Sequence, residues 1–561
     1  MRKLMLLPIA GLFFGCGNST QPTKTVVLHD TDPAISEEIL VDLKDNVSDQ
    51  DVIELSRLAG TNLHTRNKVA EQYKYEVGTI HTVDEADVFA RLKQDPRVEH
   101  VEPMVVYKAL YTPNDPMMGD QWGMKRIGAE SAWNMSCGQG VVVAILDTGV
   151  SCSLSDSAVK CGGGQSFAND SSSDDTEDRH SHGSHVAGTV AQATNNGLGT
   201  VGLAYCASIM PVKVLTDEGF GSNEGISEGI RWATDNGANV INMSLGGPFP
   251  SDVIEDAVNY AHDHGVSVIC AAGNSGGPVG FPAAFDNSIA VSALDKNDNL
   301  AHFSSRGPQV AISAAGVDVL QQTIGGDDGK GEFKKFSGTS MSSPSIAAEA
   351  ALIYSSGITA PDAVKAKMQS TADPKDDREK FGAGIARADV AVRSTFLWHT
   401  GLRLLALFGI LFFMRKMVKT SSMKNGLTIA GVVVSCFGLV PLVFSGLLPH
   451  TGAFRTVVEL LARPLGEWDI VAPFLPSHKY LMLLNFLPAG ALTLLTLGNK
   501  YLRKFSLGFA LGSAALCTQV ALSGDTYFFG GGLLLKVFMG VSIVACGWLA
   551  KQLFEKDTAT S

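Results

Sequence analysis

The sequence predicts a central α/β domain built on a parallel β-sheet, preceded by a small α+β unit and followed by an all-α transmembrane bundle. Three observations carry that expectation. Across 111–394, nearly continuous Val/Ile/Leu runs alternate with amphipathic segments, the pattern of strands covered on both faces by helices. Upstream, 36–110 mixes short segments of period two with segments of helical period. Beyond 395, apolar stretches near 396–414, 427–448, 480–498, 505–523 and 528–550 are each long enough to cross a hydrocarbon core of about 30 Å.

Taken from the start, Met1-Arg2-Lys3, the apolar run Leu4 to Phe14 and Gly15-Cys16 read as an export signal over 1–16. Residues 17–35 are rich in Ser, Thr, Pro and Asp and read as an exposed linker. In the small unit, strands are expected at 39–43, 75–80 and 98–103, and helices at 49–58 and 84–94; some seventy residues bury only a marginal core. In the central domain, strands are expected at 141–146, 208–215, 240–244, 266–270 and 288–293, with helices at 226–235 and 253–264 between them. Ligands of such sheets bind beyond the carboxyl ends of the strands.

Charge divides the chain further. With a net charge of −12 and no basic stripe in the first 390 residues, a nucleic-acid surface is excluded as an expectation. In the apolar region Arg415, Lys416, Lys419 and Lys424 crowd one connection, Lys500, Arg503 and Lys504 another, and Lys551 and Lys556 the tail. The positive-inside rule then places a multi-pass protein in a cell membrane, with its central domain outside and its C-terminus in the cytoplasm. Membrane lipid is accordingly an expected partner. Arg403 and Lys536, near the outer ends of their spans, read as side chains snorkelling to the interface.

Nine cysteines suit an oxidising compartment. Cys16 belongs to the signal, and Cys436, Cys517 and Cys546 lie in apolar runs. Of the remaining five, Cys152 and Cys161 are the easiest pair, Cys270 reads as a buried thiol in an apolar strand, and elimination leaves Cys137 with Cys206. Sequence alone does not fix such connectivity.

Four short segments stand out in the central domain, each at a strand end or a helix start: 144–149 (AILDTG), 180–189 (HSHGSHVAGT), 271–274 (AAGN) and 338–344 (GTSMSSP). Singly they are bland. An Asp after a strand often caps a helix, Gly-Asn makes turns, and Ser before an Ala-rich run is an ordinary N-cap. The histidine pair lacks a carboxylate or cysteine at clear zinc spacing. Their co-occurrence in one α/β domain is what demands an account.

Asp147-Thr148-Gly149, the segment from His182 to Thr189 and the segment from Gly338 to Pro344 resemble the three signatures of the subtilisin-like serine proteases, in that family's Asp, His, Ser order. The resemblance covers about 112–394; Ser184 stands where Thr is usual and Ser342 where Ala is usual. It implies a subtilisin-like endopeptidase acting on proteins or peptides, with Ser340 as nucleophile, His182 as its base and Asp147 orienting the imidazole. The Ser340 backbone N–H and the Asn274 amide would bind the oxyanion, with Gly338 and Pro344 allowing tight entry and stop. Ser244, Leu245, Gly246 and Gly247, facing Gly219 and Gly221, would line the substrate cleft, and Ala271, Ala272 and Gly273 would floor the first specificity pocket. With no acid there, an apolar or unselective preference is expected. Asp115, Asp156, Asn196, Leu198 and Thr200 would form a structural Ca²⁺ site. Residues 36–110 resemble the family's inhibitory propeptide, removed by self-cleavage near 107–111, and Cys16 resembles the lipidated residue of bacterial lipoproteins. Two other readings stay open: a membrane module acting as transporter, channel or sensor, and a catalytically dead peptide-binding scaffold.

Overall fold

The computed structural model describes residues 35–66, 68–79, 85–105, 113–158, 160–326, 329–414, 463, 467, 484–496, 500–528 and 532–559. The expected signal, Cys16, most of the linker, the cleavage region near 107–111, the span near 427–448 and the basic connection 415–424 lie outside these residues. The chain divides into two compact units, 1–109 and 110–561.

In the first unit, β1 (Ile35–Leu43) lies between β2 (Tyr75–Thr79) and β3 (Val98–Val105), antiparallel to both. Period two puts Ile39, Val41 and Leu43 on one face, where they pack with Leu55 and Leu92 from the two helices crossing the sheet. The helix Asp49–Ala59 begins at a capping box between Ser48 and Asp51 and ends at Gly60 in the left-handed region.

The second unit is organised by seven parallel strands: β4 (Val142–Asp147), β5 (Gln165–Ser166), β6 (Ser208–Lys213), β7 (Val240–Met243), β8 (Ser267–Ala271), β9 (Ser288–Leu294) and β10 (Val310–Ala315), in the order β10-β9-β8-β7-β4-β6-β5. Alternate residues of β4 enter opposite layers. Val143 and Ile145 pack under the helices His182–Ala191 and Thr339–Ser355, whereas Ala144 and Leu146 pack under Asn223–Asp235 and Asp252–Asp263. Because β4 lies between β6 and β7, the strand order reverses around it, and Asp147 ends it at the point where such sheets bind ligands. A hairpin of β11 (Val319–Thr323) and β12 (Glu332–Phe336) closes against the His182 helix.

The helix Ala388–Met414 runs unbroken through the boundary expected at 394–395. Its first turns bury Ala388, Ala391 and Val392 in the α/β core, and Leu407 joins a separate apolar core with Ala489, Leu511, Ala514 and Cys546 from the C-terminal helices. Two described helices, Ser506–Ser523 and Gly532–Leu553, are long and apolar enough to cross a membrane, and Leu487–Thr496 is a shorter apolar helix. Arg403 departs from the expected snorkelling: it is buried, and a facing helix supplies an inward partner, Gln519 Oε1, to which its Nε donates at 3.0 Å. Lys536 is exposed.

Candidate active site

Asp147 is wholly buried at the mouth of β4, and its Oδ1 accepts from the Thr148 backbone N–H at 2.8 Å. His182 opens the helix His182–Ala191, and its Nδ1 meets the same Oδ1 at 2.7 Å. That contact makes Nδ1 the donor and leaves Nε2 as the basic nitrogen. Burial opposes protonation of the ring, but the charges of Asp147 and, more weakly, Asp178 outweigh it and raise the His182 pKa above the ordinary 6.5. Close approach of the two elements requires Gly183, since any Cβ there would collide with the Gly149 carbonyl.

Asp178, a buried carboxylate that motif reading missed, fixes this corner. It accepts from the Thr148 hydroxyl at 2.9 Å, from the backbone N–H groups of His180 and Ser181 at 3.0 Å each, and from that of Ser184 at 2.9 Å. The second histidine of the pair has a different task. His185 is buried, stacks on Phe336 with ring centroids 4.3 Å apart, and approaches the Val319 and Lys334 carbonyls at 3.0 and 3.1 Å through Nε2. Burial pulls its pKa down to about 4, so it is neutral and packs the β11–β12 hairpin.

Ser340 is the second residue of the helix Thr339–Ser355, where a backbone N–H has no intrahelical acceptor. The expected stop at Pro344 is corrected: the helix continues through it for eleven further residues, to Ser355. A proline there cannot donate to the carbonyl four residues back, which is that of Ser340. The Ser244 hydroxyl donates to that carbonyl instead, at 2.8 Å, and restores the missing bond. Asn242 Nδ2 donates to Ser244 Oγ at 3.0 Å, and the Ser343 hydroxyl donates to Asn242 Oδ1 at 2.8 Å. The one hint of this network was a polar Asn inside an otherwise apolar strand. Ser342, the departure from the usual Ala, donates to the Thr339 carbonyl and is buried.

The Ser340 hydroxyl donates to the Ser244 carbonyl at 3.1 Å, and among the described residues no hydrogen bond joins it to His182. Asn274, exposed at the carboxyl end of β8, accepts through Oδ1 from the Thr339 backbone N–H at 2.8 Å and the Thr339 hydroxyl at 2.9 Å. Its amide nitrogen is thereby left as the group presented beside the helix start.

Two exposed edges border this centre. Leu245, Gly246 and Gly247 follow β7, with Gly247 paired to Phe281 by hydrogen bonds of 2.8 and 2.9 Å. Gly219 and Gly221 flank Phe220 on the other side, in a turn closed by Thr216. Ala271 and Ala272 are buried beneath, and the Gly273 N–H donates to Thr339 Oγ1 at 3.2 Å.

The remaining expected residues gather away from this centre. Asp115 accepts from the backbone N–H of Asn195 at 2.6 Å and of Asn196 at 3.3 Å; Asp156 accepts from Asn196 Nδ2 at 2.8 Å and Thr200 N–H at 3.2 Å. Burial, with a smaller contribution from the nearby Asp115 charge, pushes Asp156 up to about 6 despite its hydrogen bonds. The oxygen-rich donor set here, the buried carboxylates of Asp115 and Asp156 with an amide and the carbonyls of Leu198 and Thr200 in the same loop, is of the type that suits a hard cation. Among the described residues no group of three or more His, Cys, Asp or Glu forms a metal cluster. Disulfides join Cys137 to Cys206 and Cys152 to Cys161, and Cys270 is a buried free thiol.

Residues 138–385 match the model of the subtilase family. The chain is 36% identical over 336 residues to the thermophilic serine proteinase of Bacillus sp. (strain AK1), covering 59% of this chain and 81% of that protein. It is 40% identical over 275 residues to Subtilisin Savinase of Lederbergia lenta, covering 48% and 98%, and 39% identical over 265 residues to thermitase of Thermoactinomyces vulgaris, covering 47% and 92%. A parallel α/β sheet with an Asp147–His182 contact at its switch point, together with this extent of identity, places the chain in the subtilase family of serine endopeptidases.

Proposed function

We propose that the protein is a membrane-tethered, extracytoplasmic serine endopeptidase made as a self-processed precursor. The observation that carries its chemistry is the 2.7 Å contact between His182 Nδ1 and Asp147 Oδ1 at the mouth of β4, beside a serine at the start of a helix. On substrate binding, rotation of the Ser340 side chain brings its hydroxyl to His182 Nε2, which takes the proton as Oγ attacks the scissile carbonyl. The acyl-enzyme forms as the imidazolium returns that proton to the leaving amine, and water then repeats the sequence. Negative charge on the former carbonyl oxygen meets the Ser340 N–H and Asn274 Nδ2. Extended substrate pairs along 244–247 and against 219–221, with Ala271, Ala272 and Gly273 beneath an apolar or unselective pocket.

Residues 36–110 act as the inhibitory propeptide until self-cleavage, and Asp115, Asp156 and the 196–200 loop hold Ca²⁺, whose contribution when bound is to neutralise the paired carboxylates. The C-terminal helices, crossing the membrane several times, keep the mature domain on the outer face with the C-terminus inside, and Cys16 carries lipid. The basic tail residues and the two apolar helices support that orientation.

The test treats wild type and Ser340→Ala, expressed as the full chain in a bacterial membrane, with an active-site-directed fluorophosphonate. Labelling of a shortened, membrane-bound wild type that is absent in the variant is expected. An unlabelled, full-length wild type overturns the reading.

A further inference from the structure

The loop between the two apolar helices is bonded to the α/β domain. Thr359 and Ala360 donate backbone N–H groups to the Asp525 carbonyl at 2.7 and 3.1 Å, and the Tyr527 N–H donates to Thr359 Oγ1 at 2.9 Å. The Tyr527 hydroxyl donates to the Asp263 carbonyl at 2.7 Å, its ring lies over Gly265 where any Cβ would collide, and His399 Nε2 contacts Asp525 Oδ2 at 3.0 Å. Beneath them, Thr359 Oγ1 donates to Glu467 Oε1 at 3.3 Å. Together with the unbroken helix Ala388–Met414, buried in one core at its start and in the other further along, these contacts make a fixed joint rather than a tether.

Two elements connect this joint to the catalytic end, in opposite chain directions. The helix Thr339–Ser355 carries Ser340 at its start, while its other end leads within four residues to Thr359. At 1.5 Å per residue, Ser340 and Ser355 lie about 22 Å apart along the axis. Strand β8 leaves Gly265, against Tyr527, and delivers Ala271 and then Asn274 to the oxyanion corner; six residues at about 3.3 Å span about 20 Å. A parallel sheet places every strand's carboxyl end on one edge, so the joint occupies the opposite edge from the site.

We infer that the helix Thr339–Ser355 stands close to the bilayer normal, so that the active site faces away from the bilayer about 20–25 Å above its outer interface, and that its substrates are soluble extracytoplasmic proteins and long extramembrane segments, not membrane-embedded or juxtamembrane chain. This rests on the membrane reading above. An extended chain covers about 3.3–3.6 Å per residue, so some seven residues are needed to climb from the interface to the cleft. The first half-dozen residues outside a span are therefore out of reach. An outer loop anchored at both ends needs two such arms besides the stretch bound in the cleft, and loops shorter than about twenty residues are spared.

The experiment places the full chain in phospholipid vesicles with single-span reporters. In each, a rigid helical spacer of 0, 8, 16 or 32 residues separates the span from one flexible cleavable segment, and a soluble reporter carries the same segment. Cleavage at least tenfold slower with spacers of 0 and 8 residues than with 32, and equal rates for the 32-residue and soluble reporters, are expected. Equal rates at all spacer lengths, with the enzyme floating with carbonate-washed vesicles, overturn the inference alone. Failure of the enzyme to float overturns the membrane reading and the inference with it.

Discussion

Glu349 lies in the middle of the nucleophile helix with no exposed surface, and both its carboxylate oxygens lack a hydrogen-bond partner. Burial, reinforced by the charge of Asp389 and only weakly offset by the Arg387 backbone N–H, which lies too poorly placed for a hydrogen bond of normal geometry, pushes its pKa from the ordinary 4.5 up to about 8. At neutral pH it is therefore a neutral acid packed in a core. Between pH 4.5 and 8 the native state holds a proton that the unfolded chain has released, so stability from this group is complete below 4.5 and is lost as pH rises towards 8. At about 1.4 kcal/mol per pH unit the window amounts to roughly 5 kcal/mol, an order-of-magnitude figure. Glu349→Gln keeps the shape and removes the titration. With both chains in a Ser340→Ala background to prevent autolysis, urea unfolding in detergent from pH 4 to 9 is expected to give curves that coincide in acid. They should diverge as pH rises, the variant becoming the more stable by several kcal/mol at pH 9. Parallel curves across the whole range would refute the buried neutral carboxyl.

Asn274→Ala removes one oxyanion donor, and kcat is expected to fall about 10²- to 10³-fold with KM little changed, measured on a peptide amide. Because His182 must be neutral to accept the serine proton and its pKa is raised, kcat/KM is expected to fall in acid with a midpoint above pH 6.5; an acid limb centred below 6.5 contradicts the Asp147 contact. Chelation of the purified protein is expected to lower Tm, and Asp156→Asn to abolish that response, since a cation bound only by the folded state stabilises it by mass action.

The layered α/β plan was legible because its strands are buried on both faces and read as unbroken apolar runs. Strand starts and ends moved by a residue or two, as at Val142–Asp147 and Ser288–Leu294. The three signature segments were legible because each sits where a strand ends or a helix begins. Their support was not: besides their local partners, Asp178 and Asn242 bond Thr148 and Ser343, 30 and 101 positions away, and no local pattern encodes those distant pairings. Pro344 misled for a related reason. The rule that proline stops a helix assumes an unsatisfied carbonyl, and the Ser244 hydroxyl, distant in sequence, supplies the missing donor. Arg403 was read against lipid and water alone, whereas Gln519 on another helix decides its position.

The exchange between Ser244 and Ser340 runs in both directions, hydroxyl to carbonyl each way. Proline at 344 opens one side of that exchange, because an ordinary residue would have donated to the Ser340 carbonyl from within its own helix. Under the proposed reading, the segment along which a peptide would pair is thereby bonded to the residue that would attack it. When Ser340 turns to His182 in the proposed mechanism, its bond to the Ser244 carbonyl is given up, and the Ser244 hydroxyl alone keeps the helix of the attacking residue tied to the end of β7.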